Sequence, residues 1–257
     1  MRWCVVPAVI VISLAVAGAK GATVTVTPSS PAGWYNPPAE NTLGGSSAIT
    51  STAPHLTTGS VELFGDRTRF VLGSIYYYGN VPSLGLLDDV TSFHFDWSIA
   101  VGSTNPYHPD YTPALRLHIW DPTLGQRSEL IWEGAYNGTY GATTKGVWYT
   151  SSDTDKFWRW QAGGAGVTLI GGALGLMKVS DWAASSFYSP EAFVMGISVG
   201  AGSGATSAYH AFADMVTYNG TTYNFETAVI PLPAAAWTGV ALFGVLGLAK
   251  GLRRRPA

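Results

Sequence analysis

The chain has 257 residues, 14 of them basic and 16 acidic, with 47% hydrophobic side chains and a single cysteine. Cys4 lies in an apolar leader, so the chain beyond it has no thiol; disulfides, zinc–thiolate centres and thiol nucleophiles are excluded there. The two ends hold six of the 14 bases and none of the acids, which leaves eight bases against 16 acids between residues 23 and 229. That balance argues against a nucleic-acid binder, whose affinity comes from neutralising phosphates.

In chain order, Met1–Ala22 reads as a secretory signal peptide. Arg2 supplies the positive start, an apolar stretch follows, and Ala17-Gly18-Ala19 supplies the small-residue cleavage pattern. A retained N-terminal anchor is the competing reading. Residues 23–229 then form one ectodomain of all-β class, a two-sheet antiparallel β-sandwich or jelly roll. Thr23–Thr27 alternates strictly between threonine and valine. Residues 28–60, rich in Pro, Ser, Thr and Gly, read as an irregular segment wrapped on the domain. Strands are expected at 69–78, 92–101, 114–120, 129–136, 146–150, 156–161 and 193–199, each aromatic or β-branched and bounded by turn residues. Residues 179–186 suit one or two helical turns, capped by Ser180 or Asp181. Asn219-Gly220, between two strand-like runs, has the two residues that a type I′ hairpin turn demands; Asn137-Gly138 is a second candidate.

The chain closes on Ile230–Ala257. Sixteen residues, 234–249, pass without a charge before Lys250, Arg253, Arg254 and Arg255. A spanning helix needs roughly 17 residues or more, and Ile230–Pro233 can extend this one. The arginines then stay cytoplasmic and the ectodomain faces outward. The motif Ile230-Pro231-Leu232-Pro233-Ala234, the apolar run and Arg253-Arg254-Arg255 together resemble the PEP-CTERM family of sorting tails, in its VPLPA-type variant with isoleucine in place of valine. That resemblance implies recognition by an exosortase, a membrane transpeptidase of Gram-negative-type bacteria that also make exopolysaccharide. A plain stop-transfer anchor is the alternative. Signal peptidase, the membrane and an extracellular polysaccharide complete the expected partners, and the expected location is the cell envelope or extracellular matrix. The run from Ala208 to Phe225, with Asp214 ahead of the hairpin and Asn224-Phe225-Glu226 closing it, resembles the last strands of concanavalin-A-like or galactose-binding-like sandwiches.

Chemistry-bearing motifs are sparse. Glu129 and Glu133 fall four apart on one strand, about 13 Å at ~3.3 Å per residue. Glycosidases place their two carboxyls at about 5–9.5 Å, so the pair reads as a solvated strand face and no catalytic residue is assigned. His94 with Asp96, and His118 with Asp121, read as His–Asp contacts at a sheet surface. Asp153 with Asp155, and Asp88 with Asp89, have the oxygen donors that a structural calcium takes; no other cofactor is implied. Ten tryptophans and thirteen tyrosines stand out, and Trp34, Tyr107, Tyr188, Trp158 and Trp160 lie in segments where burial is hard. Trp158 and Trp160 share one face of a strand and form, with Tyr107, the candidate glycan-binding set, since flat rings stack on sugar C–H faces. The expected function is non-enzymatic carbohydrate binding at the cell surface; the rival is an envelope glycoside hydrolase or lyase on the same fold.

Overall fold

A computed structural model describes residues 21–77, 79–164, 166–202 and 204–228. The signal segment before residue 21 and the tail, with Ile230, Pro231, Leu232, Pro233, Ala234 and Arg253–Arg255, lie outside the described residues. Among the described residues no helix is long and apolar enough to cross a membrane.

The domain is all-β. One sheet holds β1 (Ala22–Val26), β3 (Ser46–Thr50), β4 (Ser60–Phe64), β6 (Phe93–Ile99), β9 (Trp148–Thr150), β16 (His210–Tyr218) and β17 (Thr221–Phe225). The long β16 is its axis: β4 and β17 share one edge, each taking half its length, and β6 takes the other. The second sheet holds β2 (Trp34–Tyr35), β5 (Phe70–Gly73), β7 (Ala114–Asp121), β8 (Gln126–Trp132), β10 (Phe157–Gln161), β11 (Gly166–Val167), β14 (Leu176–Met177) and β15 (Phe193–Gly200). Its order runs β11-β10-β8-β7-β15-β5-β2, with β14 also on β10. A small hairpin, β12 (Leu169–Ile170) with β13 (Ala173–Leu174), stands apart. Among these strands every pairing is antiparallel except β1 with β17.

Period-two alternation explains why these segments form strands and which side they bury. In β6, Phe93, Phe95, Trp97 and Ile99 point to the core while His94 and Asp96 point away. In β7, Leu115, Leu117 and Ile119 do the same. These rows meet Val61, Leu63, Trp132, Phe157, Val194 and Val199, so both sheets contribute to one apolar interior. Trp34 anchors one end, stacked on Phe70 at 5.8 Å and edge-on to Phe225 at 4.9 Å.

The expected hairpin is present, with Tyr218 opposite Thr221 and positive φ at Asn219 (47°) and Gly220 (72°). Asn137-Gly138 is not a second one. Asn137 has φ −124°, because its side chain and the preceding 3₁₀ turn, Gly134–Tyr136, fold the chain over Lys156 instead. The segment 28–60 is less irregular than its composition suggests, since β2 and β3 lie within it. Residues 74–77 leave the sheet after β5, and α1 (Val179–Ala183) has Lys178 at the N-cap position, two residues before Ser180 and three before Asp181.

Candidate functional site

The outer face of the second sheet, the side turned away from the shared core, carries an open cavity of about 450 Å³. Strand alternation builds it. While Leu115, Leu117 and Ile119 fill the interior, Arg116 and His118 between them face the cavity, and β8 contributes Arg127, Glu129 and Ile131 by the same rule. Cross-strand register then aligns them in rows. One row runs Trp160, Glu129, His118 and Gly196; the next runs Trp158, Ile131, Arg116 and Ser198. Directly opposed side chains in a sheet have Cβ atoms about 4.5–5.5 Å apart, so each row is a line of touching groups. Glu133 just beyond β8, with Glu40, Arg67, Arg69, Tyr76 and Tyr111 from loops, completes the walls.

Glu129 is the electrostatic centre. Its carboxylate is 3.2 Å from Arg127 Nη1, 3.8 Å from Arg116 Nε and 3.9 Å from Arg69 Nη2, with His118 Nδ1 at 3.5 Å. Burial by itself pushes this carboxyl up; His118, Arg69 and Arg116 overcome burial and hold it well below the usual carboxylate range. Glu133, on the same wall, behaves in the opposite sense. Burial raises it, and Arg116 with the Trp158 indole only partly offsets that. Burial also lowers His118, so the neutral imidazole is favoured despite Glu129, and its Nε2 meets Ser198 Oγ at 2.8 Å.

The arginines are held by the backbone from behind. Arg116, only 2% exposed, donates from Nη1 to the Gly200 carbonyl at 3.3 Å, and Arg69 reaches the Ala201 carbonyl at 3.4 Å. Only glycine fits at position 200, because a Cβ there would lie 1.9 Å from the Thr68 carbonyl oxygen. Arg127 donates to the Ile75 carbonyl at 2.9 Å and lies between the Tyr76 and Trp160 rings, 5.4 and 5.2 Å from their centres. Burial and then Arg116 push the Arg69 guanidinium down to about 9, which leaves it charged at neutral pH.

No known family model matches the chain, and comparison with curated proteins finds no relative.

Trp158 and Trp160 lie together on the cavity side, with Phe157 and Arg159 pointing beneath the sheet. Tyr107 is 71% exposed and sits beside the cleft, its ring 6.4 Å from that of Tyr111, which does line it. Trp34 and Tyr188 are buried, against expectation, since β2 and the segment after α1 pack them into the interior.

Glu129 is not on a solvated face. It is 8% exposed, because flanking arginines and Trp160 cover it. The expected His–Asp pairs also rearrange. His94 bonds Asp153 at 2.7 Å, while Asp96 bonds His55 at the same distance. His118 belongs to the cleft, and Asp121 instead caps the turn at Thr123 and Leu124 and takes the Ser189 hydroxyl at 2.7 Å. Among the described residues no group of three or more His, Cys, Asp or Glu is placed to hold a metal ion. Asp155 accepts from the Trp132 indole at 2.7 Å, and Asp153 accepts from the Phe93 backbone N–H at 2.7 Å as well as from His94. Both are thus engaged in tying loops to the core.

Proposed function

We propose that this chain is an exported, exosortase-sorted surface protein whose sheets form a concanavalin-A-like jelly roll, and that it binds polysaccharide in the cleft without turning it over. The observation that carries the binding reading is the pairing of two tryptophans with a ring of fixed polar donors in a cavity of about 450 Å³. That size falls within the roughly 300–1,000 Å³ of small-molecule sites. Trp158 and Trp160 offer the flat apolar surface, and the arginines and glutamates offer hydroxyl partners. In gels cast with neutral and acidic polysaccharides, the ectodomain should be retarded by at least one of them. Trp158→Ala and Trp160→Ala should each weaken that retardation by about tenfold or more, as expected of central aromatic anchors. Unchanged mobility in both variants would remove the cleft from the binding surface.

The export reading rests on the composition of the two ends. Fractionation of the native cells should place the protein in the envelope or medium with its mature N-terminus near residue 23. An uncut chain free in the cytosol would overturn it.

One observation favours a catalytic second reading: Glu129 and Glu133 share a cavity and their environments push their carboxyls in opposite directions, Glu129 down and Glu133 up. Glu129, however, is already neutralised by Arg69, Arg116 and Arg127, which blunts it as a nucleophile or base. Release of reducing ends or unsaturated sugars, abolished in Glu133→Gln, would establish the catalytic reading over the binding one.

A further inference from the structure

We infer that the cleft is built for an acidic glycan, with Arg69 and Arg116 taking the carboxylate of a uronate residue whose ring lies along Trp158 and Trp160. This rests on the glycan-binding reading and narrows it to a charge class.

The first argument is the distribution of cations. Between residues 23 and 229 there are eight lysines and arginines against 16 acids, and four of the eight line this one cavity: Arg67, Arg69, Arg116 and Arg127. A chain with so few cations, mostly acidic elsewhere, concentrates half of them in one aromatic-walled cleft. Three carboxylates share the cavity, Glu40, Glu129 and Glu133. Glu40, itself buried, accepts from Tyr76 and pairs with Arg67 at 3.9 Å. Three guanidiniums and the His118 imidazole lie within 4 Å of the Glu129 carboxylate, while Glu133 also feels Arg116 and Arg69.

The second argument is unused donor capacity. A guanidinium offers five N–H groups in a rigid fork that matches a carboxylate. Among the described residues the Arg116 guanidinium makes one hydrogen bond and the Arg69 guanidinium one, both long and both to backbone. Arg116 Nε, fully shielded from solvent, has no hydrogen-bond partner; Glu129 Oε2 at 3.8 Å is too far. Buried donors are normally satisfied, and a buried cation facing a cavity with donors to spare fits an anionic guest. Gly202 borders this corner, where an added Cβ would sit in ordinary contact with Arg116 Nη2 at 3.9 Å. Arg127 has a different job. Clamped between Tyr76 and Trp160 and bonded to Ile75, it fixes the tryptophan wall beside the arginine floor.

The third argument is geometric. The Trp158 row continues through Ile131 to Arg116, so a sugar ring stacked on the indole can direct an equatorial carboxylate along that row toward the guanidinium.

The test compares polygalacturonate with the same polymer after its carboxyls are reduced to neutral primary alcohols, using the whole ectodomain in titration calorimetry. Binding to polygalacturonate should exceed binding to the reduced polymer by about tenfold or more and should fall as salt rises. Arg116→Gln should erase that preference; because Arg116 is buried and this variant could unfold, the partly exposed Arg67→Gln and Arg69→Gln serve alongside, with thermal melts confirming their folding. Equal binding to both polymers would overturn the acidic-glycan inference while leaving glycan binding intact, as would binding to neutral glycans alone. Binding to dextran sulfate but not polygalacturonate would overturn the carboxylate assignment. Silence toward every polysaccharide would overturn this inference and the reading it rests on together.

Discussion

Glu129→Gln should be among the most damaging single substitutions in the ectodomain, costing about 3–5 kcal/mol, the range for breaking a buried ion pair from one side. The amide is the same size, so the loss is electrostatic. With the carboxylate gone, Arg69, Arg116 and Arg127 are left facing one another in a site that is largely screened from water. For a domain of about 200 residues that corresponds to a fall in Tm of about 6–20 °C, read by calorimetry or circular dichroism. Glu133→Gln, four residues on, should be neutral or slightly stabilising, because burial already disfavours its charge. The two variants thus separate a charge-matching role from generic damage to the strand. Acid should mimic the first. The Glu129 carboxyl is held below its unfolded value, so its stabilisation is complete above about pH 4.5 and is lost as pH falls toward the native value. Glu129→Gln should flatten that acid limb. Equal melts for Glu129→Gln and wild type would mean that the arginines are not confined as described. A polyuronate that rescues the Glu129→Gln melt would show an outside carboxylate filling the same place.

What could be seen in the chain before its structure follows from how local each signal is. β6, β7 and β10 were legible because alternation is written into consecutive residues; Phe93-His94-Phe95 declares its inner and outer faces without reference to anything else. The Asn219-Gly220 turn was legible because backbone sign at two adjacent positions is a local demand. β3 was hidden, since Ser46–Thr50 gains its strand conformation only by lying on the edge of β4, a partner that its own sequence does not announce. The same division holds in the cleft. Trp158 and Trp160 were recognisable as a same-face pair, five residues of sequence sufficing. The arginines that give the pair its meaning come from β7, β8 and a loop near residue 68, and they meet only through the register of three strands. One trace was present: Arg116 and His118 interrupt an otherwise apolar β7 on alternate positions, which on a central strand means a face that is covered but not oily. Likewise, Glu129 looked solvated because distance along a strand says nothing about what lies across it. The His94–Asp96 pairing failed for the same reason. Neighbours at i and i+2 share a face, yet each bonds another segment, Asp153 and His55 respectively.

The second large effect concerns Asp214, where the expected gain comes from removing a charge. Its side chain is fully buried at the bulge in β16, where Met215 is forced to a positive φ of 49°. Oδ1 accepts the backbone N–H groups of Met215 at 2.7 Å and Phe225 at 2.9 Å, pinning the bulge and joining it to β17. Oδ2 has no hydrogen-bond partner among the described residues. Burial drives the carboxyl up to about 8, and nearby Glu226 and Asp96 add to the rise, against the pull of the two backbone donors. A folded value above the unfolded one, about 3.9, means that the native state holds a proton which the unfolded chain has lost. Stability should therefore decline from about pH 4 to pH 8 and stay low above that. Asp214→Asn keeps Oδ1 as acceptor and never ionises. It should match wild type near pH 5 and exceed it at pH 9 by about 4 kcal/mol, or about 8–16 °C in Tm. Asp214→Ala, which removes the acceptor as well, should be destabilised at every pH, because two buried N–H groups lose their partner. If the asparagine variant and wild type melt in parallel across this range, Asp214 is ionised in the folded protein, and the bulge is held by a carboxylate whose charge something else must balance.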